Sequence, residues 1–170
     1  MPPMKNLHKH NHHHLSFIYL LLTFATSVLV GACSKGSRVF HAYRPVPEQG
    51  WSKQDTLSFT LSVPDSFTRY RLSVEVRNLG NYPYRNLPLR ISSTPAGAVT
   101  CDTLQLLLAD AHGHWLGKGW GALYQTAFPA GYLCIDSAGT YQLHITHSLS
   151  DSLVKGICDV GIRLESLQKR

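Results

Sequence analysis

The sequence is poor in cysteine and in charged residues, and its charges do not cluster. Four cysteines occur among 170 residues and none forms a CxxC pair, which removes the commonest signature of a structural zinc site. Only 15% of the residues are charged, and the basic ones are scattered along the chain. A nucleic-acid-binding domain needs a clustered basic patch, so this distribution argues against nucleic acid as a partner.

The sequence also lacks an evident catalytic constellation. Asp102, Asp110 and His114 are the only loosely grouped candidates for a hydrolase. His112 and His114 lie two apart near Asp110 and could begin a metal site, but no further ligand is evident. The run Gly117-Lys118-Gly119 looks like part of a phosphate loop, yet such a loop needs Ser or Thr after the lysine and then a helix. We therefore expect no enzyme activity, no metal and no bound cofactor.

The first part of the chain has the layout of a bacterial lipoprotein signal. Residues 1–14 contain Lys5 and Lys9 but no acidic residue, and an apolar run follows. That run, residues 15–30, has about 16 residues, whereas a membrane-spanning helix needs roughly 20. It ends in Val30-Gly31-Ala32-Cys33, which has the pattern of a lipobox. An uncleaved membrane anchor is the alternative interpretation.

Cleavage before Cys33 would define the organisation of the rest of the chain. Residues 1–32 are then the signal peptide, Cys33 carries a covalent lipid such as palmitate, and residues 33–37 form a tether. Residues 38–170 form a single domain, which is long enough to bury a core. Several acyl chains make such an anchor effectively permanent. Serine rather than aspartate at position 34 favours the outer membrane, with the domain facing the periplasm.

Three cysteines remain after Cys33, so at most one disulfide can form within the domain. Cys134 and Cys158 both precede a predicted late strand, which makes them candidate partners, and Cys101 is the third. The sequence does not decide among these pairings.

Alternating apolar and polar residues predict an all-β domain. In residues 56–63 the residues Leu57, Phe59, Leu61 and Val63 fall on one face, and polar residues fall on the other. We expect residues 105–108 to point inward entirely and residues 123–128 to form a helical turn or a short strand. Together the predicted strands indicate an antiparallel β-sandwich, immunoglobulin-like, with about seven or eight strands. The further predicted strands are 38–43, 69–77, 87–91, 99–108, 140–146 and 158–165.

One glycine-rich stretch with two tryptophans, residues 110–121, interrupts this pattern. It can be a tight connection in which Trp115 and Trp120 cover an open end of the core. It can also be a partner-binding surface, because Trp, Tyr and Arg dominate interface hot spots. The predicted contact set comprises Trp115, Lys118, Trp120, Tyr82, Tyr84 and Arg85.

Five blocks of sequence occur in order along the chain after the lipobox. They are Gly50-Trp51 with Asp55-Thr56-Leu57-Ser58-Phe59; Val76-Arg77-Asn78 with Asn81-Tyr82-Pro83-Tyr84 and Asn86-Leu87; Asp102-Thr103-Leu104; Leu108-Ala109-Asp110 with residues 113–121; and Asp159-Val160-Gly161-Ile162-Arg163. In this order the blocks resemble the gliding-motility lipoproteins of the GldH type. The resemblance implies a non-enzymatic, lipid-anchored envelope protein of the gliding and type IX secretion apparatus, which contacts other motility or secretion proteins. The alternative is a glycan-binding envelope lipoprotein, because exposed aromatic rings suit sugar stacking.

Overall fold

The computed structural model describes residues 38–63, 68–95, 98–100 and 102–167. These residues form eleven β-strands and no helix. None of them belongs to a helix long and apolar enough to cross a membrane. The strands are β1 (Arg38–Pro45), β2 (Trp51–Ser52), β3 (Leu57–Val63), β4 (Thr68–Leu79), β5 (Asn86–Thr94), β6 (Thr103–Leu107), β7 (Lys118–Trp120), β8 (Leu123–Ile135), β9 (Gly139–His147), β10 (Leu153–Val154) and β11 (Ile157–Ser166).

The strands form two main antiparallel sheets and a small ribbon. The first sheet has the order β1-β11-β4-β8-β7, the second has the order β3-β9-β5-β6, and β10 pairs with β2. The inner faces of the two main sheets enclose one core of aliphatic and aromatic side chains. This confirms the predicted all-β antiparallel sandwich. The strands beyond the predicted seven or eight are β2, β7 and β10, which are too short to give an alternating pattern.

Alternation in the sequence places the core correctly in the regular strands. In β3 every second residue is buried, from Leu57 to Val63. Tyr70, Leu72, Val74 and Val76 of β4 are buried in the same way. Fully burying such a side chain contributes about 1.5–3 kcal/mol relative to leaving it exposed, so these rows dominate the stability of the sandwich.

One local prediction is wrong and a second is confirmed only in part. Leu107 is 45% exposed although both of its neighbours are buried, so residues 105–108 do not all point inward. An alternating strand at the edge of a sheet has one wet face, and β6 is such an edge. Residues 123–128 are strand rather than a helical turn, as one of the two alternatives predicted, but the strand is not short, since they begin β8, which runs for 13 residues. Gly131 and the bulge opposite Arg71–Ser73 hide that length from the pattern.

Candidate functional site

A tight hairpin connects β7 to β8. Gly121 and Ala122 form its two-residue turn, and Gly121 has a φ of 63°, a left-handed conformation that favours glycine. Trp120 and Leu123 are paired directly before and after this turn. Trp120 is 94% exposed, so the turn presents an indole ring to solvent. The expectation that Trp120 covers an open end of the core is therefore wrong.

Trp120 belongs to a row of exposed apolar side chains, which we call the apolar row. Leu79 of β4 is paired directly with Leu123 of β8, and Leu123 is paired directly with Trp120 of β7. Directly paired residues point to the same face of a sheet, so the three side chains lie side by side. Leu79 and Leu123 are 37% and 39% exposed. Contiguous exposed apolar side chains of this kind mark interaction surfaces more often than single ones do.

The glycines around Lys118 serve close packing. A Cβ atom at Gly119 would lie 2.7 Å from the Tyr124 ring, and one at Gly117 would lie 2.6 Å from Thr126 Oγ1. Lys118 itself sits in an edge strand and is exposed. A phosphate loop requires a helix directly after it, whereas this segment continues into a hairpin. The phosphate-loop interpretation of this stretch is therefore not supported by its geometry.

Aromatic rings form a chain beneath the hairpin. The ring centroids of Tyr84 and Tyr82 are 5.8 Å apart, those of Tyr82 and Trp115 are 6.4 Å apart, and those of Trp115 and Tyr124 are 5.7 Å apart. Tyr82 is only 4% exposed, and its hydroxyl donates to the Asn86 carbonyl oxygen at 2.8 Å. Trp115 is half-buried and packs against the core, so it covers this end of the sandwich.

The structure thus divides the predicted contact residues by exposure. Lys118, Trp120 and Arg85 are exposed. Trp115 and Tyr84 are half-buried, and the Tyr84 hydroxyl donates to the Asp151 carboxylate at 2.5 Å. That hydrogen bond raises the pKa of Tyr84. Tyr82 lies within the core, where its ring packs against those of Tyr84 and Trp115. The role of the set in partner binding stays a prediction.

Of the residues considered for a metal site or a hydrolase, Asp110 organises its own loop. One oxygen of the Asp110 carboxylate accepts hydrogen bonds from the backbone N–H groups of His112 and His114, at 2.8 Å and 2.9 Å. The other lies 3.1 Å from His114 Nδ1, and these hydrogen bonds lower the pKa of Asp110. Asp102 precedes β6 while Asp110 follows it, so the two are not grouped. Among the described residues no three metal-ligating side chains come together.

Cys134 and Cys158 are both free thiols, so the candidate disulfide between them is wrong. Strand β4 lies between the strands that carry them. Cys134 is paired with Arg69 near one end of β4, whereas Cys158 lies near Arg77 and Asn78 at the other end. A disulfide requires Cα atoms within about 7 Å of each other, which this separation along β4 excludes. Cys101 lies outside the described residues.

A buried carboxylate on the outer face of the five-stranded sheet was missed by the sequence analysis. Glu75 Oε2 lies 3.1 Å from His41 Nε2, and the Tyr43 hydroxyl donates to the same oxygen. Gln125 Nε2 donates to it at 3.4 Å, and Arg163 Nε lies 3.3 Å from Glu75 Oε1. We call these five residues the Glu75 network. They come from β1, β4, β8 and β11, so the network ties four strands together.

Glycine makes the Glu75 network possible. Tyr43, Gly161 and Glu75 are directly paired across β1, β11 and β4. A Cβ atom at Gly161 would lie 2.6 Å from the Tyr43 ring, so only glycine lets this ring lie flat and reach the carboxylate. The Arg77 guanidinium covers the Tyr43 ring at 4.0 Å from its centroid and lies 3.3 Å from Asp159 Oδ2.

The electrostatics of the network fix its protonation state. Burial alone would raise the pKa of Glu75, but the hydrogen bonds from Tyr43 and His41 outweigh it and leave the pKa below its usual value. Burial and the hydrogen bond to Glu75 raise the pKa of Tyr43 to about 12. At neutral pH the carboxylate is ionised and the phenol keeps its proton. Since donors occupy Oε2 and the Arg163 guanidinium lies beside Oε1, Glu75 is engaged as a structural acceptor.

A second buried titratable group, His147, was also missed. Its ring packs edge-on against Trp51 at a centroid distance of 5.3 Å. Neither ring nitrogen reaches hydrogen-bonding geometry with any residue that the structure describes. Burial lowers the pKa of His147, against an opposing contribution from the backbone of Trp51. The imidazole therefore behaves as a core aromatic ring at neutral pH.

The fold and these sites define a class: an all-β sandwich domain with a self-contained polar network on one outer face and an exposed aromatic hairpin beside it. The sequence profile of a family described as GldH lipoprotein matches residues 38–164. The chain is 33% identical over 149 residues to the gliding motility lipoprotein GldH of Flavobacterium johnsoniae. This match covers 82% of this chain and 91% of that protein. It is 32% identical over 149 residues to a homolog in Christiangramia forsetii, covering 82% and 90%.

The chain therefore belongs to the GldH lipoprotein family, as the resemblance predicted. This makes it a gliding-motility lipoprotein, lipid-anchored in the cell envelope, from a family not known for enzyme activity. Among solved structures it is similar to the sugar-binding C-terminal domain of EclA, with a TM-score of 0.36, 11% identity, and coverage of 79% of this chain and 80% of that one. It is also similar to a GH115 glucuronidase, with a TM-score of 0.36, 17% identity, and coverage of 79% of this chain and 16% of that one.

The predictions for the front of the chain lie outside the described residues. These are the signal peptide over residues 1–32, lipidation at Cys33 and the tether over residues 33–37. They stay predictions.

Proposed function

We propose that this protein is a non-catalytic assembly or stabilising subunit of the gliding-motility and type IX secretion apparatus. It acts through contacts with other envelope proteins, needs no cofactor and no metal, and is held by a lipid on Cys33. Its place is the outer membrane, facing the periplasm. Confinement to a membrane raises its effective concentration near other membrane-bound parts, so modest contacts suffice.

The observation that carries this proposal is the apolar row at the end of the five-stranded sheet. A Trp side chain that is 94% exposed is costly to leave in water and is the residue type most enriched in interface hot spots. Lys118 lies beside it and has no ion pair within the described part of the chain, so a charged partner group can approach. The buried Tyr82 and the half-buried Trp115 give this end a rigid base.

The register of the strands supports a protein partner rather than the anchoring membrane. Arg38, at the start of β1, is level with Glu165, Arg71 and Tyr132 across the sheet. The apolar row lies level with Leu79, eight residues further along β4, which is roughly 27 Å at the rise of a strand. The start of β1, the first described residue of the chain, therefore lies at the end of the sheet remote from the apolar row.

An affinity pull-down from cross-linked native envelopes tests the proposal. The bait is the mature, lipidated protein, and Trp120→Ala is compared with wild type, with Leu107→Ala as a matched control for an exposed apolar residue on the other sheet. Recovery of motility or secretion proteins by wild type and the control, and a clear loss with Trp120→Ala, is expected. Equal recovery with all three baits would contradict the proposed contact surface.

Glycan binding is the second candidate, and the same exposed ring favours it. Trp120 has Lys118 and Gln125 as polar neighbours on the sheet face, and a sugar can stack on an indole while polar groups bind its hydroxyls. Titration with cell-wall fragments, followed by tryptophan fluorescence, tests this. A saturable change that disappears in Trp120→Ala, together with an empty pull-down, would replace the protein-contact proposal.

A further inference from the structure

Strand β8 is paired along one edge and partly open along the other. On the β4 side its pairing extends from Leu123 to Ile135. On the opposite side β7 pairs only with residues 123–125. At the far end Val99 bridges to Leu133, and the Thr100 N–H donates to the Tyr132 carbonyl at 3.0 Å. Between these contacts, on the side facing away from β4, residues 126–131 have no strand partner among the residues that the structure describes, and we call this stretch the open edge.

The direction of the backbone groups along the open edge follows from the hairpin. A two-residue turn makes the flanking residues, Trp120 and Leu123, a hydrogen-bonded pair. Every second residue of β8 then turns its N–H and C=O groups to the same side, so Gln125 and Ala127 follow Leu123. The Ala122 carbonyl accepts from Gly80 N–H on the β4 side, which agrees with this alternation.

The open edge therefore offers a defined set of hydrogen-bonding groups. Ala127 presents one N–H donor and one C=O acceptor, and Pro129 presents a C=O acceptor only, because proline has no N–H. Unpaired strand edges of this kind are templates for another extended chain. Pro129 also limits the length, since a ladder past it would lose a donor.

A groove lies against the open edge. Its volume is about 530 Å³, and it is lined by Leu116, Lys118, Gln125, Thr126 and Ala127. Leu116 is 52% exposed and supplies an apolar wall. Lys118 supplies a positive charge with no acidic partner in the described ranges. The groove thus combines an open backbone, an apolar wall and one unmatched cation.

We propose that the open edge binds a short extended segment of another envelope protein, which adds to β8 as a strand of about four residues. The segment carries an acidic residue opposite Lys118 and a small apolar residue against Leu116 and Ala127. Charge complementarity selects this occupant, and main-chain hydrogen bonds to Ala127 and Pro129 hold it. The inference rests on the proposed function in taking the partner to be a protein.

Substitution of one backbone donor tests the inference. Ala127→Pro removes the N–H group that faces the open edge, while Ala127→Ser keeps it and serves as the matched control. The probes are short overlapping synthetic peptides that cover the proteins recovered by the wild-type bait. We expect peptides with an acidic residue among alternating apolar ones to bind wild type and Ala127→Ser alike, and to bind Ala127→Pro about tenfold more weakly.

Charge reversal gives a second readout. Lys118→Glu is expected to weaken the same peptides severalfold, and the difference from wild type is expected to shrink at high salt, because exposed charge pairs are screened. Circular dichroism and a cooperative urea transition check that each variant folds. Should Ala127→Pro not fold, amide hydrogen exchange of wild type decides: the Ala127 amide is expected to exchange more slowly when the peptide is bound.

The outcomes separate this inference from the proposed function. Unchanged binding to Ala127→Pro, or unchanged exchange at Ala127, overturns the open-edge site even when Trp120→Ala still loses its partners. A dimer of this chain that dissociates in Ala127→Pro overturns the hetero-partner by showing that a second copy fills the edge. No recovered protein with the wild-type bait overturns both proposals together.

Discussion

The two halves of one sheet face behave in opposite ways. Over β1, β11 and β4 the outer face is closed by the Glu75 network, in which donors surround a buried carboxylate. Over β8 and β7 the same face ends in the apolar row and the open edge. The first half surrounds a buried carboxylate with donors, whereas the second leaves apolar surface and backbone groups unmatched. This contrast separates the part of the surface that stabilises the fold from the part available to a partner.

Removing the carboxylate is expected to have the largest effect on stability. Glu75→Ala removes the buried acceptor of His41 and Tyr43 and the anion beside Arg163, which should lower the free energy of unfolding by about 3 kcal/mol. Urea denaturation at neutral pH measures it. Glu165→Ala is the control, because its ion pairs with Arg71 and Arg163 are long and partly exposed and should be worth less than about 1 kcal/mol. Equal losses in both variants would contradict the structural role of Glu75.

Displacing the Tyr43 ring should lower the free energy of unfolding by less than Glu75→Ala does. A methyl group at Gly161 would collide with that ring, so Gly161→Ala is expected to lower the free energy of unfolding by about 1–2 kcal/mol. The pKa of Tyr43 should fall from about 12 toward its ordinary value, which phenolate absorbance reports. Gly80→Ala is the matched control, since its nearest neighbouring atom is 3.8 Å away. An unshifted tyrosine titration in Gly161→Ala would count against the contact.

Acid should weaken the same half of the sheet. The pKa of Glu75 is lower in the folded chain than in the unfolded one, so its contribution is complete above the ordinary glutamate pKa of about 4.3. This contribution to stability is lost as the pH falls through the pKa that Glu75 has in the folded chain. The difference in unfolding free energy between wild type and Glu75→Gln should therefore shrink between neutral and strongly acidic pH. Asp159, whose pKa burial raises, acts with the opposite sign in both proteins and cancels in the comparison.

The smallest effect on stability is expected in the open half. Trp120→Ala should change the free energy of unfolding by less than about 0.5 kcal/mol, because the side chain makes little contact with the fold. Partner recovery should fall by about tenfold or more in the same variant, as it does for hot-spot residues. Urea denaturation and quantitative pull-down on the same preparation give both values. A large loss of stability would show that Trp120 belongs to the fold after all.

The regular strands were predictable because alternation encodes a buried and a wet face. The Glu75 network was not predictable, because the same rule assigns Glu75 to the wet face of β4 and does not show that side chains from other strands cover it. Tyr43 reaches that carboxylate only across Gly161, about 120 residues away in sequence, and no local pattern records such a contact.

The position of the glycine–tryptophan stretch, residues 110–121, was predicted correctly, but which of its aromatic rings is buried was not. Its composition shows that the chain turns and that aromatic side chains gather there. Which ring is buried depends on the register of β7 against β8, which places Trp120 on the outer face and Tyr124 on the inner one. The long β8 was missed for a related reason, since its turn residues and its bulge break the period that marks a strand.

The entry of the chain at one end of the sheet, and the apolar row at the other, determine how the molecule carries load. A force applied between the start of β1 and the hairpin runs along the strands. It acts in shear on the whole ladder between β1 and β11 rather than peeling it one hydrogen bond at a time. The Glu75 network crosses that ladder through His41 and Tyr43 and reinforces it sideways. A domain that is pulled between these two ends gains mechanical resistance from this arrangement.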